Sequence, residues 1–143
     1  MAAMTKSFPR APARLRGALA RARGVLLRES RLAAAYLYGS ALKGPGNRDV
    51  DVALLYRPAG RGPSPRALSE LALRLDKAFG AETDLHLLSE LPDPVRFRVV
   101  RDGVRILARD SLFAVRFEAG TMSRFLDFRP TYAFHTARVL GRA

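Results

Sequence analysis

Apolar residues recur along this chain with two different periods, which predict helices and strands in alternation. Leu15, Leu19, Ala22 and Leu26 share one face of a helical repeat, with arginine on the other face. Short apolar or alternating runs bounded by turn residues predict strands. We expect strands at 32–38, 49–56, 83–88 and 104–108. We expect helices at 11–28, 65–79, 93–102 and from 110 onward.

Several helix boundaries follow from individual residues. Ser64 followed by Pro65 is typical of a helix start, and Gly103 of a helix end. Pro130 predicts a break or kink in the last helix. The first acidic residue is Glu29, so the opening segment also resembles an arginine-rich transit peptide. Because this segment leads directly into the first strand, we favour a folded helix.

These elements predict one α/β domain, in which helices flank a small mixed β-sheet. The 143 residues suffice for a single core, and neither a linker nor an internal repeat divides them. We expect the core domain at about residues 15–110 and a helical C-terminal tail at about 111–143. The tail, rich in phenylalanine, is expected to form part of a partner surface.

Composition and charge narrow the range of functions that this chain can have. The chain has no cysteine, which excludes thiolate metal sites, disulfides and a cysteine nucleophile. No apolar run reaches the ~18 residues of a membrane-spanning helix, and we expect a cytoplasmic protein. The net charge of +12 attracts polyanions such as nucleotides, nucleic acid or an acidic protein surface. Nucleic acid is not favoured, because the chain lacks a dense basic run interleaved with aromatic residues.

The candidate chemistry lies between the first two strands. Gly39-Ser40 follows the first strand, and Asp49 and Asp51 stand two residues apart on the second, on one face. Gly39 permits a tight turn beside phosphates, and Ser40 supplies an amide and a hydroxyl donor. Lys43 adds a positive charge. This combination predicts a site for a nucleoside triphosphate.

A third carboxylate, Asp84, opens the third strand. Magnesium prefers carboxylate and phosphate oxygens, and two such ions ~3.5–4 Å apart assist an in-line displacement at phosphorus. Asp49, Asp51 and Asp84 are therefore our candidate metal ligands, and Asp84 can also accept a proton from the attacking hydroxyl.

Other motifs carry less weight. The chain lacks a Walker-type Gly-Lys-Ser/Thr and a complete dinucleotide-binding glycine motif. His86 shares a strand face with Asp84, and we expect it to be a hydrogen-bonded structural histidine. Four arginines after the third strand are expected to form a solvated face. They are Arg96, Arg98, Arg101 and Arg105.

Taken together, these residues resemble the minimal nucleotidyltransferases of the DNA polymerase beta-like superfamily. That family has a strand, Gly-Ser, a spacer, Asp-x-Asp and a later Asp, which correspond here to Gly39, Ser40, Asp49, Asp51 and Asp84. The similarity covers about residues 15–132, and its last part looks like the tail of members paired with a HEPN-type toxin.

The resemblance implies an antitoxin enzyme that transfers AMP from ATP to a tyrosine hydroxyl of a HEPN ribonuclease toxin and releases pyrophosphate. It implies that Asp49 and Asp51 hold two Mg2+ ions, and that Asp84 holds the catalytic ion and helps to deprotonate the tyrosine. The spacer before Asp49 is about two residues shorter than is usual in the family, and Arg48 replaces a common serine. Two alternatives remain: an antitoxin that acts by binding alone, and a nucleotidyltransferase acting on RNA ends or a small molecule.

Overall fold

The computed structural model describes residues 13–42, 49–59 and 61–139, with side chains as far as residue 127. These residues contain four α-helices and four strands. In chain order they are α1 (Arg16–Leu26), β1 (Leu32–Tyr38), β2 (Val50–Tyr56), α2 (Pro65–Phe79), β3 (Thr83–Leu87), α3 (Asp93–Asp102), β4 (Val104–Ala108) and α4 (Ser111–Val139). The predicted α/β class and all of the predicted elements are confirmed, with boundaries that differ by a few residues.

The four strands form one mixed sheet in the order β3-β2-β1-β4. β1 pairs antiparallel with both β2 and β4, whereas β2 and β3 run parallel. The parallel pair is joined by the crossover through α2. This arrangement places the end of β1 beside the starts of β2 and β3, so residues distant in sequence meet at one edge of the sheet.

Helices cover both faces of the sheet, which explains why β1 and β2 are almost entirely apolar. On one face, α1 and α2 pack Leu19, Leu26 and Leu75 against the sheet. On the other face, Val99 of α3 and Ala114 of α4 pack against the strands. Strand residues alternate between these two cores.

The ends of α2 follow from local chemistry. The Ser64 hydroxyl accepts a hydrogen bond from the Ala67 amide at 3.2 Å, and Pro65 occupies the first turn. Gly80 ends the helix with φ of 68°, a left-handed conformation that glycine adopts at low cost. The helix start predicted from Ser64 and Pro65 is confirmed.

Helix α4 crosses the second face of the sheet and is held by side chains on its inner side. Phe125 stacks on Phe97 of α3 with ring centroids 3.9 Å apart and planes at 11°. Glu118 accepts hydrogen bonds from the Tyr36 hydroxyl at 2.6 Å and from Arg105 at 3.1 Å. Burial, followed by the charge of Glu118, raises the pKa of Tyr36 far above its usual value, so its hydroxyl remains a donor.

The helix does not break at Pro130, which lies inside α4. A proline removes one helical hydrogen bond, and a helix anchored over its preceding turns can continue past it. The predicted break is therefore wrong, and the kink that was its alternative stays a prediction. Among the described residues, no helix combines the length and apolarity needed to cross a bilayer.

Candidate active site

The candidate site forms where β1 ends. The chain leaves Tyr38 in a 3-10 turn, Gly39–Leu42, and Gly39 takes a φ of 78°. A Cβ at this position would overlap the carboxylate oxygen Oδ2 of Asp51 and lie 3.1 Å from its Cγ. Glycine is required here both by the backbone conformation and by the close approach of Asp51. The Gly-Ser turn and the second aspartate are thus in direct contact.

Asp51 and Asp84 are register partners on the parallel strands β2 and β3. Burial, followed by the negative charge of Asp84 and a smaller contribution from Asp49, raises the pKa of Asp51. His86 acts in the opposite direction. The site therefore gathers negative charge in a partly buried position, and a divalent cation would relieve this repulsion.

The remaining predicted residues surround this pair. Asp49 is exposed and immediately precedes β2, which begins at Val50 and not at Asp49. The amide of Val50 donates to the Glu82 carbonyl at 2.9 Å, which fixes the start of β2 beside β3. Ser40 lies exposed on the 3-10 turn.

Residues 43–48, including Lys43 and Arg48, lie outside the described part of the chain. Among the side chains that are described, His, Asp and Glu do not form a group of three or more close enough to hold a metal. Asp51 and Asp84 nevertheless fit a divalent cation, because both offer carboxylate oxygens from adjacent register positions.

His86 pairs with the third aspartate. Its Nε2 lies 3.1 Å from Oδ1 of Asp84, and both side chains are exposed. The sequence placed the two residues on one strand face but did not reveal this pairing, which orients the Asp84 carboxylate.

A pocket of about 490 Å3 adjoins the turn at Gly39. Its walls come from the end of β1 and from α3, and it is lined in part by Tyr38, Leu42, Val95, Arg98 and Val99. Burial, followed by the charges of Asp51 and Asp84, raises the pKa of Tyr38 to about 12, so its hydroxyl stays protonated. Tyr38 was not among the predicted site residues, although its position next to Gly39 could have indicated it.

The four arginines after β3 have separate environments. Arg96 donates to the carbonyls of Leu88, Ser89 and Leu91 and is a structural residue. Arg105 pairs with Glu118 beneath α4, and Arg101 pairs with Asp102. Arg98 alone of the four lines the pocket beside Gly39. The expectation of one solvated face is correct for Arg98 and Arg101 and wrong for Arg96 and Arg105, which are partly buried.

One further arginine supports the turn. Arg14, in the 3-10 segment that precedes α1, donates from its guanidinium to the Ala41 carbonyl at 2.6 Å. This contact ties the N-terminal helical region to the Gly39–Leu42 turn. No local pattern predicted this contact, because the two residues are 27 positions apart.

Residues 23–112 match the family model of the polymerase beta nucleotidyltransferases. The match spans most of the chain and includes the Gly-Ser turn and all three aspartates. The chain therefore belongs to this nucleotidyltransferase family.

Solved structures with the same fold come from toxin–antitoxin systems. The MntA–HepT complex aligns with a TM-score of 0.67 at 22% identity, covering 86% of this chain and 97% of the other. A toxin–antitoxin structure with AMP-PNP gives 0.68 at 24% identity, covering 85% and 98%. A tri-AMPylated Shewanella oneidensis HEPN toxin in complex with its MNT antitoxin gives 0.64 at 22%, covering 86% and 98%.

These likenesses establish the shared fold, and the family model confirms the predicted membership of the polymerase beta-like nucleotidyltransferases. No curated protein sequence matches the chain.

Proposed function

We propose that this chain is a magnesium-dependent adenylyltransferase antitoxin, which transfers AMP from ATP to a tyrosine of a HEPN-type ribonuclease toxin. The observation that carries the proposal is the meeting of Asp51, Asp84 and Gly39 at one edge of the sheet. Membership of the nucleotidyltransferase family and the antitoxin complexes among its structural relatives support it.

Each residue has a distinct role in this proposal. Asp49 and Asp51 would hold two Mg2+ ions, and Asp84 would hold the catalytic ion. Bound magnesium would supply positive charge that stabilises the pyrophosphate leaving group. Gly39 allows the triphosphate to approach the backbone, and Ser40 and Lys43 donate to its oxygens.

The nucleoside occupies the pocket lined by Tyr38, Leu42 and Val99, whose volume of about 490 Å3 suits a ligand of this size. Arg98, at the same pocket, is placed to contact phosphate. A tyrosine hydroxyl of the toxin attacks the α-phosphorus while the bond to the pyrophosphate oxygen breaks. Asp84 accepts the phenolic proton, and its pairing with His86 holds the carboxylate in position.

The test is the intact mass of a purified HEPN-type toxin, from the organism that encodes this chain, after incubation with the chain, ATP and Mg2+. We expect the toxin to gain one or more AMP units with the wild type and none with Asp51→Asn or Asp84→Asn. Glu70→Gln, which removes an exposed carboxylate of α2, is the matched control and should transfer AMP normally.

Two other outcomes have clear meanings. A stable complex without mass change, together with full toxin neutralisation by Asp51→Asn, would show an antitoxin that acts by binding alone. AMP transfer to RNA ends or to a small molecule, with the toxin unmodified, would show a nucleotidyltransferase of different substrate class. Binding to RNA should then weaken steeply as the salt concentration rises.

A further inference from the structure

Helix α4 carries a second apolar face that points away from the core. Its residues recur at intervals of three and four, which places them on one side of the helix. We name this row the α4 stripe, and it consists of Leu112, Val115, Ala119, Met122 and Leu126.

The α4 stripe is separate from the residues that hold α4 to the domain. Ala114 and Thr121 are buried on the inner side, where Glu118 and Phe125 make the contacts described above. The phenylalanines of the described tail therefore belong to this inner side.

Three large side chains of the stripe are exposed, and Met122 is half-buried. Leu112 is 61% exposed, Val115 47% and Leu126 52%. Single exposed apolar residues are ordinary, but an aligned row marks an interaction surface. Together these three are most of the large exposed apolar side chains described in the chain.

We infer that the α4 stripe docks an amphipathic helix of the toxin partner, one that carries acidic side chains beside its apolar seam. This inference rests on the proposed function for the identity of the partner. The alternation of three- and four-residue steps is the pattern by which two helices pack their side chains along a common seam.

The dimensions of the stripe suit a helix. From Leu112 to Leu126 it extends about 21 Å at a rise of 1.5 Å per residue, or two heptads. Ala119 lies at its centre, and a small residue there allows two helix axes to approach to about 8–10 Å.

Charge favours an acidic partner over a second copy of the chain. Arg116, four residues after Leu112, is exposed beside the stripe. Arg124 is exposed farther round the same helix, and Asp127 is the one exposed acid among the described side chains of α4. The whole chain has a net charge of +12, so two copies repel each other. Complementary charge would instead steer an acidic helix to this surface.

The experiment measures the affinity of a purified HEPN-type toxin for the wild type and for five variants by titration calorimetry. The double variant Leu112→Gln with Leu126→Gln removes two exposed side chains of the stripe. Leu73→Gln on α2 is the matched control, because Leu73 is 63% exposed and lies outside the stripe. Asp51→Asn tests whether binding depends on the candidate active site.

We expect the double variant to bind about 10- to 100-fold more weakly, from the loss of two apolar contacts. Leu73→Gln and Asp51→Asn should bind as the wild type does. All variants should melt near the wild-type temperature, except Asp51→Asn, which should melt at a higher temperature in metal-free buffer. Arg116→Glu should also weaken binding, while Arg66→Glu, an exposed reversal on α2, should not.

Several results would overturn the inference. Equal affinity of the double variant and Leu73→Gln would mean that the toxin docks elsewhere. If the toxin does not bind the wild type at all, it is not the partner that occupies the stripe. A wild-type dimer in light scattering that the double variant converts to a monomer would assign the stripe to a second copy. Stripe-dependent binding without AMP transfer would support the stripe and contradict only the catalytic proposal.

Discussion

The carboxylate of Asp51 lies against the backbone of Gly39, so the turn that would cradle phosphate and a residue that would bind metal occupy one small volume. Twelve positions separate them in sequence. The antiparallel pairing of Tyr38 with Asp51 closes this distance. A change at either residue must therefore disturb the other.

Gly39→Ala should reduce AMP transfer sharply and destabilise the fold. The left-handed backbone costs a non-glycine residue about 1–2 kcal/mol, and the added methyl group displaces Asp51. Gly80→Ala is the control, because Gly80 has φ of 68° with nothing near the added Cβ. Both variants should lose stability in thermal melts, Gly39→Ala the more because its methyl group also displaces Asp51, but Gly80→Ala should keep its activity. Equal loss of activity would show that strain alone is responsible.

Asp51→Asn should lower AMP transfer by at least about 100-fold, because the site loses a metal ligand. The same variant should melt at a higher temperature than the wild type at neutral pH in metal-free buffer. A raised folded-state pKa means that ionisation of Asp51 opposes folding, and this penalty is absent below the unfolded pKa of about 3.9. Added Mg2+ should raise the melting temperature of the wild type more than that of the variant. A lower melting temperature for metal-free Asp51→Asn would contradict the expected repulsion with Asp84.

His86→Ala should lower AMP transfer by about 10- to 100-fold, the usual effect of removing a partner that orients a metal ligand. The pairing of His86 with Asp84 is the reason. The loss should appear in kcat measured at saturating ATP and Mg2+, and toxin affinity should not change. His86→Asn should retain more activity than His86→Ala if it restores a donor to Asp84. An unchanged kcat in His86→Ala would show that His86 does not help to position Asp84 for AMP transfer.

Glu118→Ala should destabilise the domain by about 3 kcal/mol, because it leaves Arg105 partly buried without its partner and the Tyr36 hydroxyl without its acceptor. Urea denaturation measures this change. Combining Glu118→Ala with Arg105→Met should recover part of the loss, since the uncompensated charge is removed. If the double variant is less stable than the single, the charge is not the cause.

Asp110→Ala should destabilise the start of α4 at pH 7. Asp110 accepts a hydrogen bond from the Phe113 amide and pairs with Arg57, and these interactions, the amide first, lower its pKa. A lowered folded-state pKa means that the stabilisation is present above the unfolded pKa and is lost as pH falls through the folded value. The difference in unfolding free energy between wild type and variant should therefore shrink below about pH 4. A difference that is constant with pH would exclude the ionised carboxylate as its source.

The sequence predicted the elements because their signals are local. The apolar runs of β1 and β2 and the Ser64-Pro65 start of α2 each identify an element without reference to the rest of the chain. The sequence motif singled out Asp51 and Asp84, and the structure makes these two residues register partners on β2 and β3. The break predicted at Pro130 is wrong because the rule for proline considers one turn, whereas Phe113, Ala114 and Phe117 pack the earlier turns of α4 onto the domain.

Side-chain partners could not be predicted in the same way. Arg96 and Arg105 look alike in sequence. Arg96 on α3 nevertheless donates to backbone carbonyls, whereas Arg105 on β4 pairs with Glu118 of α4. These assignments depend on how α3 and α4 pack on the sheet, which no local pattern encodes. The phenylalanines of α4 were likewise recognised as important, but their inward direction follows from the tertiary contacts.

The pairing of Tyr38 with Asp51 also bears on how this family can diversify. Strand pairing holds the glycine turn at the end of β1 and the carboxylate at the start of β2 together, and segment 43–48 connects the two in sequence. Insertions and deletions in that segment can therefore accumulate in evolution without separating the two. Connecting segments of different lengths are therefore compatible with the same strand pair.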